Sequence, residues 1–542
     1  MNKKILIFGI VLLTAILSSC VKDLNVTPRD PNKIMAGNVE NNPTYLAEVL
    51  GKIYASFIIN GQGSVSNYNP DITASDDDFF TSNRALWNLQ ELSTDEAICA
   101  WSDVGISDIN TQTWSPTNTF LTALYQRLGL SITYANDFIR MTNGSSDTTI
   151  LRYNAEARFL RALAYYYFMD LFGNPPFTTD ADGVGKFFPK QISRANLFNY
   201  VVSELHAIEN KLGAPGFSYP EADQAACWML LARTYLNAQV FTGTAKWDSC
   251  LIYCNKVANC GKYSLASNYR HNFAADNDGP ENPEMIFAWE QNGIYTACYV
   301  GTTFIIESCC DGTYLKANDY GLYSNTNWNG NRTKRQFVNV LVDTLATYGN
   351  VPIPSTDPWF SQCKDGRVFL RQKLSLDIPS ASASGNYGIG VYKFTARNTD
   401  GTLPTVDTSA TYASTDFPVF RYADALLMRA ESNLNLGNTA DAVTDINAVR
   451  ERAFGGAAGD ITAATLASNP SFILDERGRE FYYESQRRTD LIRFGKFTTG
   501  GYNWAWKGDV YAGTSTDAHL NIYPIPGDEV SANPNIKQNP GY

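Results

Sequence analysis

Two short stretches of this 542-residue chain concentrate side chains suited to gripping a neutral, hydroxyl-rich ligand. In CAWSDVGISDIN, Trp101 keeps company with Asp103, Asp108 and Asn110; in NDYGLYSNTNWNGNR, Tyr320, Tyr323, Asn327 and Trp328 form the densest mixture of rings and amides in the chain. An exposed flat ring stacks on the C–H face of a sugar, and nearby amides, carboxylates or guanidinium groups bond its hydroxyl rim. Arg84 is a candidate hydroxyl partner upstream. Taken singly, each ring fits a buried structural role slightly better than a ligand contact; as a set they predict at least one binding ring. Trp228, Trp247 and Trp289 lie on apolar helical or strand-like patterns that predict core, while Trp504 and Trp506, alternating in GYNWAWKGD, stay undecided.

Chemistry of other kinds finds little support. The sequence has no nucleophile elbow, phosphate loop, dinucleotide glycine fingerprint or HExxH motif. Its three histidines, His206, His271 and His519, are isolated, so neither a zinc site nor a cofactor is expected. Asp76, Asp77 and Asp78 lack EF-hand spacing and read as a solvated loop. A glycosidase needs only two carboxylates brought together by the fold, so an enzyme acting on a surface polymer stays as a competing class. The expectation is a binding protein, not an enzyme. From Ile473, Glu476, Glu480, Glu484 and Arg488 follow one another at four-residue steps, with Arg477 and Arg487 alongside. That spacing predicts an ion-pair ladder on one face of an exposed helix that locks the C-terminal region.

The first residues bear on where such a ligand would be met. Lys3 and Lys4 precede an apolar run to Leu17 and then Leu17-Ser18-Ser19-Cys20, the layout of a bacterial lipoprotein signal over residues 1–19 with Cys20 as the lipidated residue. The run is too short to be kept as a spanning helix. Loss of two lysines and no acids moves the net charge from −11 to −13, which disfavours nucleic acid and other polyanions and suits a neutral ligand. Ten cysteines become nine once Cys20 is acylated, and Cys227, Cys250 and Cys254 fall in helical stretches where buried free thiols are expected.

Helical periodicity dominates near 43–59, 118–141, 154–173, 194–212, 221–241, 245–260, 418–437, 438–454 and 473–494. AEARFLRALAYYYFMDLFG, AACWMLLARTYLNAQVF and YADALLMRAESNLNLG resemble one another, and the last two are each followed by a second amphipathic helix. This is the logic of tetratricopeptide-like repeats, in which each pair buries its apolar stripe against the next. The prediction is a mainly α fold forming one domain over 20–542. Its helical frame covers about 40–60, 118–260 and 418–542; an irregular, loop-rich lobe with short strands covers about 60–117 and 261–417. Loops on a rigid frame are where binding groups concentrate.

The lipobox with CVKDLNVTPRD, LSTDEA at 92–97, the Trp101 and Trp114 region, RFLRALAYYYFMDLFGNPPF from Arg158, FRYADALLMRAE from Phe420, DINAVRERA, the ERGRE helix, YPIP from Tyr523 and terminal QNPGY occur in order along nearly the whole chain. Together they resemble the SusD/RagB family of Bacteroidetes outer-membrane lipoproteins. That resemblance implies an outer-membrane, lipid-anchored, cell-surface location and a tetratricopeptide-like frame. It also implies glycan binding and a partner, a SusC-like TonB-dependent transporter for which the protein acts as lid. It places one wall of the ligand site about Trp101. It does not carry over a substrate, and some relatives serve peptides, so a peptide-binding accessory is the alternative.

Overall fold

The computed structural model describes residues 42–61, 70–72, 81–185, 187–323, 327–342, 363–405 and 410–542. Cys20 with its signal sequence, and Asp76 to Asp78, lie outside the described residues. The chain is mainly helical, and its strands are short antiparallel pairs.

Helix α1 (Pro43–Ile58) and the short α2 (Ser82–Trp87), which runs into a π-turn at Asn88–Leu92, cover one end of a helical stack. The stack contains α3 (Thr119–Thr142), α4 (Thr148–Leu171), α5 (Arg194–Ile208), α6 (Gln224–Leu236) and α7 (Trp247–Asn259). Asn118, Asp147, Ser193 and Asp223 start α3 to α6, each side-chain oxygen accepting from a first-turn backbone N–H. Such caps satisfy donors the helix cannot, each contributing about 1 kcal/mol. From Ala155 to Leu171, α4 is buried on every side except at Arg158. Its alanines (Ala155, Ala157, Ala162 and Ala164) are fully buried, letting neighbouring helices approach closely. Its buried charges are paired: Arg161 with Asp180 and Glu204, Glu156 with Arg152. Cys227, Cys250 and Cys254 are buried free thiols, as the sequence predicts.

A buried helix, α8 (Gly301–Cys309), stands inside the irregular lobe. The C-terminal region adds α9 (Tyr422–Asn435) and α10 (Thr439–Phe454), joined by a turn at Gly437, whose φ of 84° suits glycine. Contacts run α3 to α4, α4 to α5, α6 to α7, α7 to α9 and α9 to α10, so successive pairs stack in the expected tetratricopeptide-like manner.

The expected helix over 473–494 is corrected to two, α11 (Phe472–Phe481) and α12 (Arg487–Arg493). Between them Tyr483 and Ser485 adopt positive φ, which breaks the four-residue periodicity before Glu484. The ladder is also not exposed: Glu476, Glu480 and Arg488 are wholly buried and Glu484 nearly so. Glu476 accepts from Arg367, Arg450 and Arg479, and Glu480 pairs with Arg367, Arg421 and Arg452. Glu484 pairs with Lys393 and Arg421, whereas Arg488 faces Asp170 of α4. Arg367 and Lys393 belong to the lobe, so the network ties lobe to frame.

Among the strands, β1 (Ile98–Cys99) pairs with β3 (Asn331–Arg332), β2 (Met285–Trp289) with β6 (Phe417–Arg421), and β4 (Leu370–Gln372) with β5 (Ile389–Val391). The first pair, only two residues long, joins segments over 200 residues apart in sequence. That pairing assembles the site.

Candidate ligand-binding site

Antiparallel pairing of Ile98 with Arg332 and Cys99 with Asn331 continues through Ala100, whose N–H donates to the Gly330 carbonyl at 3.0 Å. The register therefore sets Trp101 beside the Trp328–Gly330 strand entrance. Trp101 Nε1 donates to the Trp328 carbonyl at 2.8 Å, and the two half-buried indoles sit 6.2 Å apart between centroids, tilted by 58°. From Trp328 the row continues to Tyr299 at 6.1 Å and on to Tyr412 at 5.1 Å, both half-buried. Four partly exposed rings thus form one arc.

The tryptophan half of the arc is braced from behind. The N–H groups of Trp328, Asn329 and Gly330 donate to the carbonyls of Glu307, Cys310 and Ser308, which moors this strand to the end of α8. Gly330 is required by closeness: a Cβ there would drive into the Trp101 indole. The Arg332 guanidinium bonds the carbonyls of Ile98, Gly330 and Ala383, fastening both strands to the 383 loop. Burial lowers its pKa to about 10, and it stays charged at neutral pH. Arg84 lies under the platform, 3% exposed, its guanidinium 4.7 Å from the Phe304 ring and 5.5 Å from that of Trp101. It acts as a cationic floor for the indole. Burial pushes the Cys99 thiol up to about 12 against the opposing pull of the Trp101 backbone, Arg332 and Arg84. The thiol is neutral, so this cysteine is no nucleophile.

The candidate residues separate into groups. Trp101, Trp328 and Arg84 meet, and Asp103 is exposed two residues beyond Trp101. Asn327 adjoins Trp328 in the chain, but its Oδ1 accepts the Ala317 N–H at 2.9 Å, a local structural bond. Tyr320 stands apart from the arc, its ring 5.7 Å from Tyr392, and burial together with Tyr392 raises its pKa. Tyr323 is 47% exposed and its N–H donates to the Ala410 carbonyl, two residues before Tyr412. Tyr299 and Tyr412 do not stand out in the sequence; their flanks, TACYVG and TSATYAST, resemble many others in the lobe. Trp289 and Trp504 are core, as is the apolar body of Trp228, whose Nε1 donates to Glu209. A groove of about 790 Å³ lies elsewhere, between α3 and the 176–189 loop; Tyr125, Tyr165 and Phe168 in its lining are buried, and its exposed ring is Phe187.

Among the described residues no group of three or more His, Cys, Asp or Glu side chains is arranged to hold a metal, and no helix is long and apolar enough to cross a membrane. The arrangement of rings, amides and backbone can stack on and hydrogen-bond a flat, neutral ligand.

Comparison with known proteins gives the same architecture. The SusD family model matches residues 232–542. The starch-binding protein SusD of Bacteroides thetaiotaomicron is 34% identical over 98% of this chain and 97% of its own length. The SusD-like protein P25 of Formosa agariphila is 25% identical over 72% of each chain. A SusD-like protein from Bacteroides fragilis superposes over 95% of this chain and all of its own with a TM-score of 0.70 at 17% identity. A SusD-like carbohydrate binding protein from the same species covers 92% of this chain and all of its own, with a TM-score of 0.68 at 21% identity. With a family model covering more than half of the chain and a relative aligned end to end, the chain belongs to the SusD family.

Proposed function

We propose that the protein captures a neutral glycan on the Trp101–Trp328–Tyr299–Tyr412 arc at the cell surface and delivers it, uncleaved, to a SusC-like TonB-dependent transporter. The observation that carries this reading is the arc itself: four partly exposed rings, the two tryptophan segments held by backbone bonds and the indole N–H of Trp101 already engaged inside the protein. Rings presented this way recognise the C–H faces of sugars, and their hydroxyls are left to the exposed Asp103 and the lobe's amides. The name of the 34% identical relative, a starch-binding protein, makes an α-glucan the first ligand to try. An acidic mature chain suits an uncharged polymer.

One stacked ring contributes on the order of 1 kcal/mol beyond its buried area, so single sites bind in roughly the micromolar to millimolar range. Calorimetric titration of maltoheptaose and of peptide mixtures, with product analysis of the glycan afterwards, separates the readings. Trp101→Ala and Trp328→Ala should each weaken glycan binding about tenfold while the protein stays folded, with a lowered but still cooperative melt, because each half-buried indole also packs on the core. Unaltered affinity in both variants would place the site elsewhere; shortened glycan products would mean an enzyme, and saturable peptide binding without glycan binding would mean a peptide receptor.

A further inference from the structure

A second cluster of rings lies where the arc does not reach. The 504–514 segment folds into a tight knot: Trp506 N–H donates to the Val510 carbonyl, Asp509 N–H to Trp506, Gly513 N–H to Val510 and Thr514 N–H to Lys507. Inside it Trp506 and Asp509 adopt left-handed φ of 71° and 58°. For a tryptophan this conformation costs on the order of 1–2 kcal/mol and persists only where the surroundings enforce it. What the strain achieves is visible in the ring. Trp506 Nε1 donates to the Ile378 carbonyl at 2.9 Å, the indole stays half-buried, and Tyr511, 52% exposed, meets it edge-on at 5.6 Å.

Beside these rings is a cleft of about 250 Å³ lined by Arg335, Gln336, Asp377, Ile378 and Tyr511. Arg335 and Asp377 face each other in a planar fork, Nε to Oδ1 at 2.6 Å and Nη2 to Oδ2 at 2.9 Å, both partly exposed. Exposed pairs contribute little stability. A fork held flat in this way keeps carboxylate lone pairs and a guanidinium edge pointing in fixed directions. The Arg335 hydrogen bonds hold the Asp377 carboxyl below its ordinary range, so it accepts hydrogen bonds at neutral pH. The Tyr511 ring and a planar polar pair in one cleft are the complement of one sugar ring, and the volume, below the roughly 300 Å³ at which pockets for drug-sized ligands begin, admits little more.

We propose that this cleft is a second saccharide site, sharing no residue with the Trp101 arc, which takes a single neutral sugar ring or chain end between Tyr511, against which Trp506 packs, and the Arg335–Asp377 fork. It rests on the reading of the protein as a glycan binder. Two weak sites on one chain would hold a polysaccharide more firmly than either alone.

The test uses the soluble mature protein labelled with 5-fluorotryptophan, titrated with maltoheptaose, cellohexaose and mannohexaose while the fluorine resonances are followed. Trp506→Phe assigns its resonance, and Trp101→Phe and Trp328→Phe assign theirs. The expected result is a saturable shift of the Trp506 signal with at least one sugar, kept in Trp101→Ala and weakened about 3- to 10-fold in Tyr511→Ala, with melting temperatures confirming that both variants fold. Movement of the Trp101 and Trp328 signals with a still Trp506 signal overturns this proposal alone. Movement of Trp506 with still Trp101 and Trp328 signals supports it and overturns the arc. No movement anywhere, or a Trp506 shift that vanishes in Trp101→Ala, overturns it as well.

Discussion

At the scale of single residues, Gly330 decides how the arc is built, because it lets the Trp101 indole rest directly on the backbone of the partner strand. Gly330→Ala should force that ring aside and weaken maltoheptaose binding about tenfold, and the melting temperature should fall as well, because the displaced indole packs on buried Phe304 and Arg84. Calorimetry beside a thermal melt checks this, and wild-type affinity in the variant would show that the ring's position is immaterial. The rings of Trp101 and Trp328 stand out in the sequence because amides surround both. Tyr299 and Tyr412 do not, since what distinguishes them is a place in an arc assembled from four separate segments. Arg84 shows the same limit from the other side: its type suits a hydroxyl partner, but only the packing of α2 on α8 reveals it beneath the indole.

At the scale of elements, helix spacing carries most of the frame. The repeated small-residue pattern of α4, α6 and α9 is visible because each helix buries alanines at regular intervals. The break between α11 and α12 is hidden, since left-handed φ at Tyr483 and Ser485 has no glycine to announce it. The buried network across that break carries a prediction. Burial alone would raise the Glu480 pKa, but Arg452, Arg421, Arg367 and Lys393 reverse this and hold it at about 2. Its stabilising contribution is thus complete above the unfolded carboxyl pKa of about 4.3 and is lost as pH falls toward 2. Glu480→Gln leaves buried guanidinium groups short of a charge and should cost about 3–5 kcal/mol at pH 7. The penalty should shrink on acidification. Denaturant melts at pH 7 and pH 3 measure both, and an equal loss at the two values would mean that charge is not what Glu480 contributes.

At the scale of the whole molecule, a helical frame and a loop-rich lobe are joined by charges buried between them. On the proposed reading the protein is attached to the outer membrane through Cys20. Cys20→Ala should move the protein from the membrane fraction to the soluble fraction in cells lacking the transporter, read by fractionation and immunoblot. Retention in the membrane would point to another anchor. A lipobox is a linear signal and so is proposed from sequence alone, whereas the β1–β3 contact depends on the folding of everything between.

The tether from the Trp101 indole to the Trp328 carbonyl also bears on time. On the proposed reading, indoles already tethered in place meet a sugar without first having to be ordered. With a dissociation constant of about 0.1 mM and an encounter rate of about 10⁷ M⁻¹s⁻¹, a sugar stays on the order of a millisecond. On the proposed reading, such brief, repeated visits would let a polymer be passed onward, where a tight grip would hold it back.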